Sequence, residues 1–113
     1  MCGIIGIVSK NQVVDRLIDG LERLEYRGYD SAGIATVYSS EIVYTKSTGK
    51  LVSLKNKLKQ NPIDGNVGIG HTRWATHGEP IEINAHPHVT KNVAVVHNGI
   101  IENFAEFKDG LLE

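Results

Sequence analysis

Short apolar segments alternate with amphipathic ones along this chain of 113 residues, and that order is the feature that most limits its fold. Residues 3–9 predict a short strand that is apolar on both faces, as buried strands are. Residues 13–24 carry apolar side chains at helical spacing, which predicts a helix with Asn11 as its N-cap. We therefore expect an α+β fold.

The same two periodicities predict the next elements. Residues 29–33 are typical of a turn, and residues 34–38 and 42–46 alternate in polarity and predict a hairpin. Leucines at helical spacing over 51–58 predict a second helix, which the pair 61–62, Asn and Pro, ends.

The remainder of the chain predicts two more strands and a helix. Residues 67–71 predict a strand with Gly68 and Gly70 on one face, where another backbone or a ligand can approach closely. Residues 93–96 predict a buried strand, and a last helix is expected from Glu102. This helix reaches the end of the sequence without a capping residue, so we expect the chain to be part of a larger domain.

Composition excludes several classes of protein. With 12 basic and 13 acidic side chains and a net charge of −1, the sequence has no basic excess for nucleic acid. It has no apolar run of the roughly 20 residues that span a bilayer, and no secretory signal. A lone cysteine excludes an internal disulfide and a cysteine zinc cluster, and it predicts a cytoplasmic protein.

That cysteine is Cys2, directly after the initiator methionine. Removal of Met1 would give Cys2 both a thiol and a free α-amine. An α-amine with a pKa near 7.7 to 8.0 is about a tenth to a sixth free base at pH 7, so it can accept the proton of the thiol. The alternative is a small buried cysteine that only packs at the start of a strand.

A second candidate segment follows the strand at 67–71. It contains Arg73, Trp74 and Thr76. A guanidinium binds a carboxylate through two hydrogen bonds, a hydroxyl adds another donor, and the indole could cover the site. The alternative is a polar surface loop in which the tryptophan simply packs.

Asn98 and Gly99 follow the strand predicted at 93–96. The asparagine amide and the glycine backbone N–H are two donors that could form an oxyanion hole. The alternative is a tight turn, for which Asn-Gly is the commonest pair.

Histidines raise the question of a metal. His71, His77, His86 and His88 are close enough in sequence for a three-histidine site, but carboxylates at ligand spacing are missing. We expect His71 to project from its strand into the interior, and we expect no metal or other cofactor.

Five runs together resemble a known family: 2–6, 24–33, 71–78, 84–88 and 97–103. They are similar to the glutaminase domain of the isomerising glutamine:fructose-6-phosphate aminotransferases, which are class II glutamine amidotransferases. The resemblance covers the whole chain. The Cys-Gly-Ile start is shared by several amidotransferases, whereas the runs 26–33 and 71–80 are more specific.

The resemblance implies an N-terminal-nucleophile hydrolase fold, an αββα sandwich of which residues 1–113 would form the N-terminal half. It implies that Cys2 attacks the side-chain amide of glutamine and forms a thioester. The other implied roles are an oxyanion hole, substrate contacts and positioning of the nucleophile. The oxyanion hole falls on Asn98 and Gly99, and the positioning of the nucleophile falls on Arg27 and Gly28. The substrate contacts fall on Arg73, Trp74, Thr76 and His77.

In the family, the ammonia passes to fructose 6-phosphate in sugar-isomerase domains, which this chain does not contain, and the intact protein is expected to be a homo-oligomer. An acidic residue that binds the substrate α-amino group lies beyond the last helix of this chain. One alternative is therefore a fragment without turnover. Another is a different amidotransferase with an N-terminal cysteine, such as an amidophosphoribosyltransferase or an asparagine synthetase.

Overall fold

The computed structural model describes residues 3–24, 30–73 and 85–97. The described elements, in chain order, are β1 (Gly3–Val8), α1 (Val14–Arg23), β2 (Ser31–Tyr38), β3 (Glu41–Thr48), α2 (Leu51–Gln60), β4 (Val67–Arg73), β5 (His88–Val89) and β6 (Ala94–Val95). The helix predicted from Glu102 lies outside these ranges.

Four of the strands form an antiparallel sheet in the order β1-β4-β2-β3. The predicted hairpin is confirmed as β2 and β3, which pair from Tyr38 and Glu41 outward. Ser39 and Ser40 join them with φ angles of 50° and 63°, the left-handed conformation that a two-residue hairpin turn of the I′ type requires. The turn predicted over 29–33 is wrong from residue 31 onward, because β2 already begins there and pairs with β4.

Both predicted helices are present, and their apolar sides form the core with the sheet. The largest fully buried apolar side chains are Leu17 and Leu21 of α1, Ile34 of β2 and Leu54 of α2. Burying each side chain contributes about 1.5–3 kcal/mol. Glu22 and Lys55 form an ion pair that links the two helices.

The predicted N-cap of α1 is wrong. The helix begins at Val14 with Val13 at the N-cap position, and the Gln12 side chain accepts the Val14 N–H. The Val13 N–H donates to the Gly65 carbonyl at 2.9 Å. A partner distant in sequence therefore anchors this helix start, and Asn11 does not cap it.

The glycine face of β4 is covered by α1. A Cβ at Gly68 would lie 2.7 Å from the Leu17 side chain, and one at Gly70 would lie 3.2 Å from Leu21. The close approach predicted at these glycines is confirmed, and a helix occupies it.

Two strands expected to be buried are partly exposed. Among the described strands β1 pairs only with β4, and α1 covers one of its faces, so Ile5 and Ile7 pack on the core while Ile4 and Val8 are 42% and 82% exposed. In β6, Val95 is 50% exposed. A continuous apolar run does not distinguish a strand covered on both faces from one covered on a single face.

The segment 85–97 lies on the sheet face opposite the helices. A Cβ at Gly33 would lie 2.1 Å from the His86 carbonyl oxygen, whereas the next residue, Ile34, packs against the helices. The small antiparallel sheet of β5 and β6 belongs to this segment. Among the described residues, no helix is long and apolar enough to span a membrane.

Candidate functional site

Arg73 is the last residue of β4, and it is only 7% exposed. β4 lies in the interior of the sheet, between β1 and β2, and Arg73 pairs with Ser31 of β2. Its carbonyl oxygen accepts the Asp30 N–H at 2.7 Å. The buried guanidinium is therefore attached to a rigid element.

The end of β4 presents different side chains to the two faces of the sheet. Gly70 faces α1, and by strand alternation Thr72 shares that face. His71 and Arg73 belong to the opposite face, where segment 85–97 lies. The prediction that His71 points into the interior is confirmed, because it is 1% exposed.

Thr72 holds the residue that follows Cys2 in sequence. Gly3 pairs with Thr72 in the β1–β4 ladder, and the Gly3 N–H donates to Thr72 Oγ1 at 3.2 Å. Thr72 is 1% exposed, so this hydrogen bond is shielded from water. It therefore fixes the start of β1 beside the end of β4.

A group of histidines covers the other face at this end of β4. The His86 ring stacks on the His71 ring with centroids 4.2 Å apart, and it lies tilted against the His88 ring at 4.3 Å. His86 Nδ1 accepts the backbone N–H of His97 at 3.3 Å. His97 is the residue before Asn98, so the described flank of the Asn-Gly pair is tied to β4 through His86.

Burial and nearby positive charge lower the pKa values of His86 and His88, so both rings are neutral near pH 7. Burial lowers the pKa of His86 to about 3, and positive charge on His71, His88, Arg73 and His97 adds to the effect. Burial also lowers the pKa of His88, with contributions from Lys46 and Arg73. A neutral His86 with an acceptor at Nδ1 carries its proton on Nε2.

Two polar side chains beside Arg73 have no hydrogen-bond partner in the described structure. Both carboxylate oxygens of Asp30 and the hydroxyl of Ser31 are buried in this way, and Ser31 pairs with Arg73 across the β2–β4 ladder. Buried polar groups normally have a partner. Among the described residues, nothing satisfies these atoms.

Arg73 is the predicted site residue that the structure describes. The others lie outside the described ranges: Cys2, Arg27, Gly28, Trp74, Thr76, His77, Asn98 and Gly99. Residues next to or near them in sequence do meet at the end of β4. These are Gly3, Asp30 and His97, which connect to Thr72, to Arg73 and to His86 respectively.

Sequence reasoning did not single out Thr72 or His86 for a role at the site. The Gly3–Thr72 hydrogen bond joins residues 69 positions apart, and the His97–His86 bond joins residues 11 apart. Thr72 stands next to the arginine in the predicted segment, and His86 lies in run 84–88 of the family resemblance. These two positions were the sequence signals that could have pointed to Thr72 and His86. Among the described residues, no group of three or more histidine, cysteine or acidic side chains could hold a metal ion.

Sequence comparison finds relatives along the whole chain. It is 60% identical over 112 residues to a glutamine–fructose-6-phosphate aminotransferase (isomerizing) of Mesorhizobium japonicum, covering 99% of this chain and 18% of the relative. It is 61% identical over 113 residues to the enzyme of the same name from Rhizobium leguminosarum bv. viciae, covering 100% of this chain and 19% of the relative. The chain is a homologue of these aminotransferases. It thus spans about a fifth of their length, and no protein-family model matches it.

Structure comparison supports the same relationship. This chain superposes on glutamine phosphoribosylpyrophosphate amidotransferase from B. subtilis, complexed with ADP and GMP, with a TM-score of 0.80 and 25% identity. The match covers 99% of this chain and 25% of that one. An allosteric regulatory enzyme of purine biosynthesis gives a TM-score of 0.81, also at 25% identity, with the same coverage of both chains. The expected α+β fold of N-terminal-nucleophile glutamine amidotransferases is confirmed.

Proposed function

We propose that residues 1–113 are the N-terminal part of a glutaminase domain that releases ammonia from the side-chain amide of glutamine. The observation that carries the proposal is a set of three contacts: Gly3 donates to Thr72, Asp30 donates to the backbone of the buried Arg73, and His97 donates to His86, whose ring stacks on His71 of β4. The three donating residues flank the segments with the candidate nucleophile, the residues that position it and the oxyanion donors.

The proposed reaction begins at Cys2 after Met1 is removed. The free α-amine accepts the thiol proton, and the sulfur attacks the amide carbon of glutamine. The carbon–nitrogen bond then breaks, the protonated amine returns the proton to the leaving nitrogen, and ammonia departs. A glutamyl thioester remains on Cys2, and water hydrolyses it to glutamate and regenerates the thiol.

The remaining residues support these steps. Asn98 and Gly99 would stabilise the oxyanion, and removal of one such donor typically lowers turnover about 10²- to 10³-fold. Arg73 and Thr76 would bind the substrate α-carboxylate, His77 in the same loop would contact the substrate, and Trp74 would close over glutamine. Arg27 and Gly28 would position the amine of Cys2.

The end of β4 carries the buried Asp30 carboxylate, and it also carries cationic and donor groups that can bind an anionic group. The lowered pKa values of His86 and His88 leave both rings neutral near pH 7, so Arg73 and Lys46 supply the positive charge there. The buried hydroxyl of Ser31, which has no hydrogen-bond partner in the described structure, lies opposite Arg73 and can donate to the same group. These features support the capture of a carboxylate.

We further propose that the full-length protein is a cytoplasmic homo-oligomer that transfers the ammonia to fructose 6-phosphate in separate sugar-isomerase domains and makes glucosamine 6-phosphate. The relatives at about 60% identity carry the aminotransferase name, and they favour this acceptor over phosphoribosyl pyrophosphate or aspartate. The first test offers each acceptor to the full-length protein with glutamine. Amino-sugar formation supports the proposal, and product from another acceptor alone overturns it.

The second test replaces Cys2. In the full-length protein, Cys2→Ala should abolish glutamine-dependent synthesis and retain synthesis from ammonia. Retained glutamine-dependent synthesis would contradict the assignment.

As an alternative for the 113 residues alone, we propose a folded fragment with little or no glutamine hydrolysis, and rapid turnover by that fragment would contradict it.

A further inference from the structure

We propose that His86 is a positioning residue that holds the chain entering the oxyanion-hole pair Asn98–Gly99 in register with the Arg73 end of β4. This inference rests on the proposed function, because it assigns His86 to the same site. His86 acts through the backbone of His97 and is not placed in contact with substrate.

The first support is the hydrogen bond at His97. His86 Nδ1 accepts the His97 backbone N–H at 3.3 Å. This bond lies one residue before Asn98, and it adds to the short β5–β6 ladder and the Thr90–Val93 hydrogen bonds that hold the hairpin. A side-chain acceptor at that point restricts the direction in which the chain enters the Asn-Gly pair.

The second support is that His86 is itself held at both its ring and its backbone. The ring stacks on His71, which is fully buried in β4. The backbone carbonyl lies so close to Gly33 of β2 that a Cβ there would be 2.1 Å away. Ala85 and Pro87, the neighbours of His86, are also buried. A side chain fixed in this way can transmit the position of the sheet to His97.

The third support is the protonation state of the ring. Burial and the surrounding positive groups lower the pKa of His86 to about 3, so Nδ1 remains an acceptor throughout the neutral range. The cationic ring would carry a proton at Nδ1 and could not accept the His97 N–H. The environment therefore maintains the form that the hydrogen bond needs.

A matched pair of variants separates this role from simple packing. In the full-length protein, His86→Leu removes the acceptor, whereas His86→Asn branches at the same atom and places an amide oxygen near the position of Nδ1. We expect His86→Leu to lower kcat for glutamine hydrolysis about tenfold with little change in KM, because the oxyanion donors act mainly in the transition state. His86→Asn should recover most of the loss, and His88→Leu is the control.

A direct readout is hydrogen exchange at the His97 amide. It should be faster in His86→Leu and close to wild type in His86→Asn. If the two variants match in kcat and in His97 exchange, the inference is overturned. A rise in KM without a fall in kcat overturns it too, because His86 would then act on glutamine binding.

The same experiment separates the inference from the proposed function. A wild-type protein that releases no ammonia from glutamine overturns both. A wild-type protein that does release ammonia, with His86→Leu equally active, overturns the inference alone. A fall in kcat that His86→Asn fails to rescue, together with an equally lowered unfolding temperature in both variants, shows that His86 only packs.

Discussion

At the scale of single residues, Thr72 illustrates how a side chain can help to fix a strand end. The hydroxyl accepts the Gly3 N–H at 3.2 Å in a position where Thr72 is 1% exposed. A buried N–H left without an acceptor costs about 1–3 kcal/mol. Because Gly3 follows Cys2 directly, that cost falls on the start of the strand that would carry the nucleophile.

We predict that Thr72→Val lowers both stability and glutamine hydrolysis. Valine has nearly the shape of threonine but no acceptor, so the free energy of unfolding should fall by about 1–2 kcal/mol. Thr72→Ser keeps the hydroxyl and should retain most of the activity. Thermal unfolding and ammonia release by the full-length protein test this, and equal behaviour of the two variants would show that the hydroxyl is not needed.

At the scale of elements, two glycines provide a contrast between backbone and side-chain contact. A Cβ at Gly33 would meet the His86 carbonyl oxygen at 2.1 Å. That oxygen belongs to the backbone, so it can move away only if segment 85–97 moves. A Cβ at Gly20 would meet Ile5 Cδ1 at 2.0 Å, but that atom ends a flexible side chain. Alanine also favours a helix over glycine by about 1 kcal/mol.

We therefore predict that Gly33→Ala is much more damaging than Gly20→Ala. Gly33→Ala should lower the free energy of unfolding by about 1–3 kcal/mol and reduce glutamine hydrolysis, because it lifts His86 from the sheet. Gly20→Ala should stay within about 1 kcal/mol of the wild type. The measurement is unfolding together with ammonia release. A larger loss from Gly20→Ala would show that β1 and α1 cannot adjust.

The elements differ in how far sequence alone could predict them. Helical spacing identified α1 and α2, and alternation identified the β2–β3 hairpin, because these patterns are local. The N-cap was predicted at Asn11, but the Gly65 carbonyl and the Gln12 side chain satisfy the first N–H groups. The exposure of Ile4 and Val8 in β1 depends on which face of the sheet α1 covers, and β1 joins that sheet by pairing with β4, a strand distant in sequence.

The candidate site shows the same division. Arg73 was predicted from its residue type and from a position after a strand at 67–71. That strand end is wrong, because β4 continues to Arg73, which is buried there. The contributions of Thr72 and His86 depend on partners that only the folded chain brings together. Such contacts have no local signature in the sequence.

At the scale of the whole molecule, the histidines at the end of β4 predict a dependence of stability on pH. The pKa of His86 is about 3 in the folded protein, below the ordinary value of 6.5, and that of His88 is also lowered. Below about pH 6.5 the unfolded chain therefore binds more protons than the folded one. The stabilisation from the neutral histidines is complete above that pH and is lost as the pH falls.

We predict that the unfolding temperature of the full-length protein falls between pH 7.5 and pH 5. The fall should be smaller in His86→Asn, because asparagine does not titrate. The wild type and the variant are compared in the same buffers at constant ionic strength. An identical pH dependence in both proteins would show that His86 does not contribute to the loss of stability.

The central claim is that Cys2, with its own α-amine free, is the nucleophile of a glutaminase site built around the end of β4. The most direct test is mass spectrometry of the full-length protein quenched during turnover of glutamine. We expect an N-terminal peptide that begins at Cys2 and carries one glutamyl group as a thioester. Fully active protein that retains Met1, or a glutamyl group found on another residue, would contradict the account.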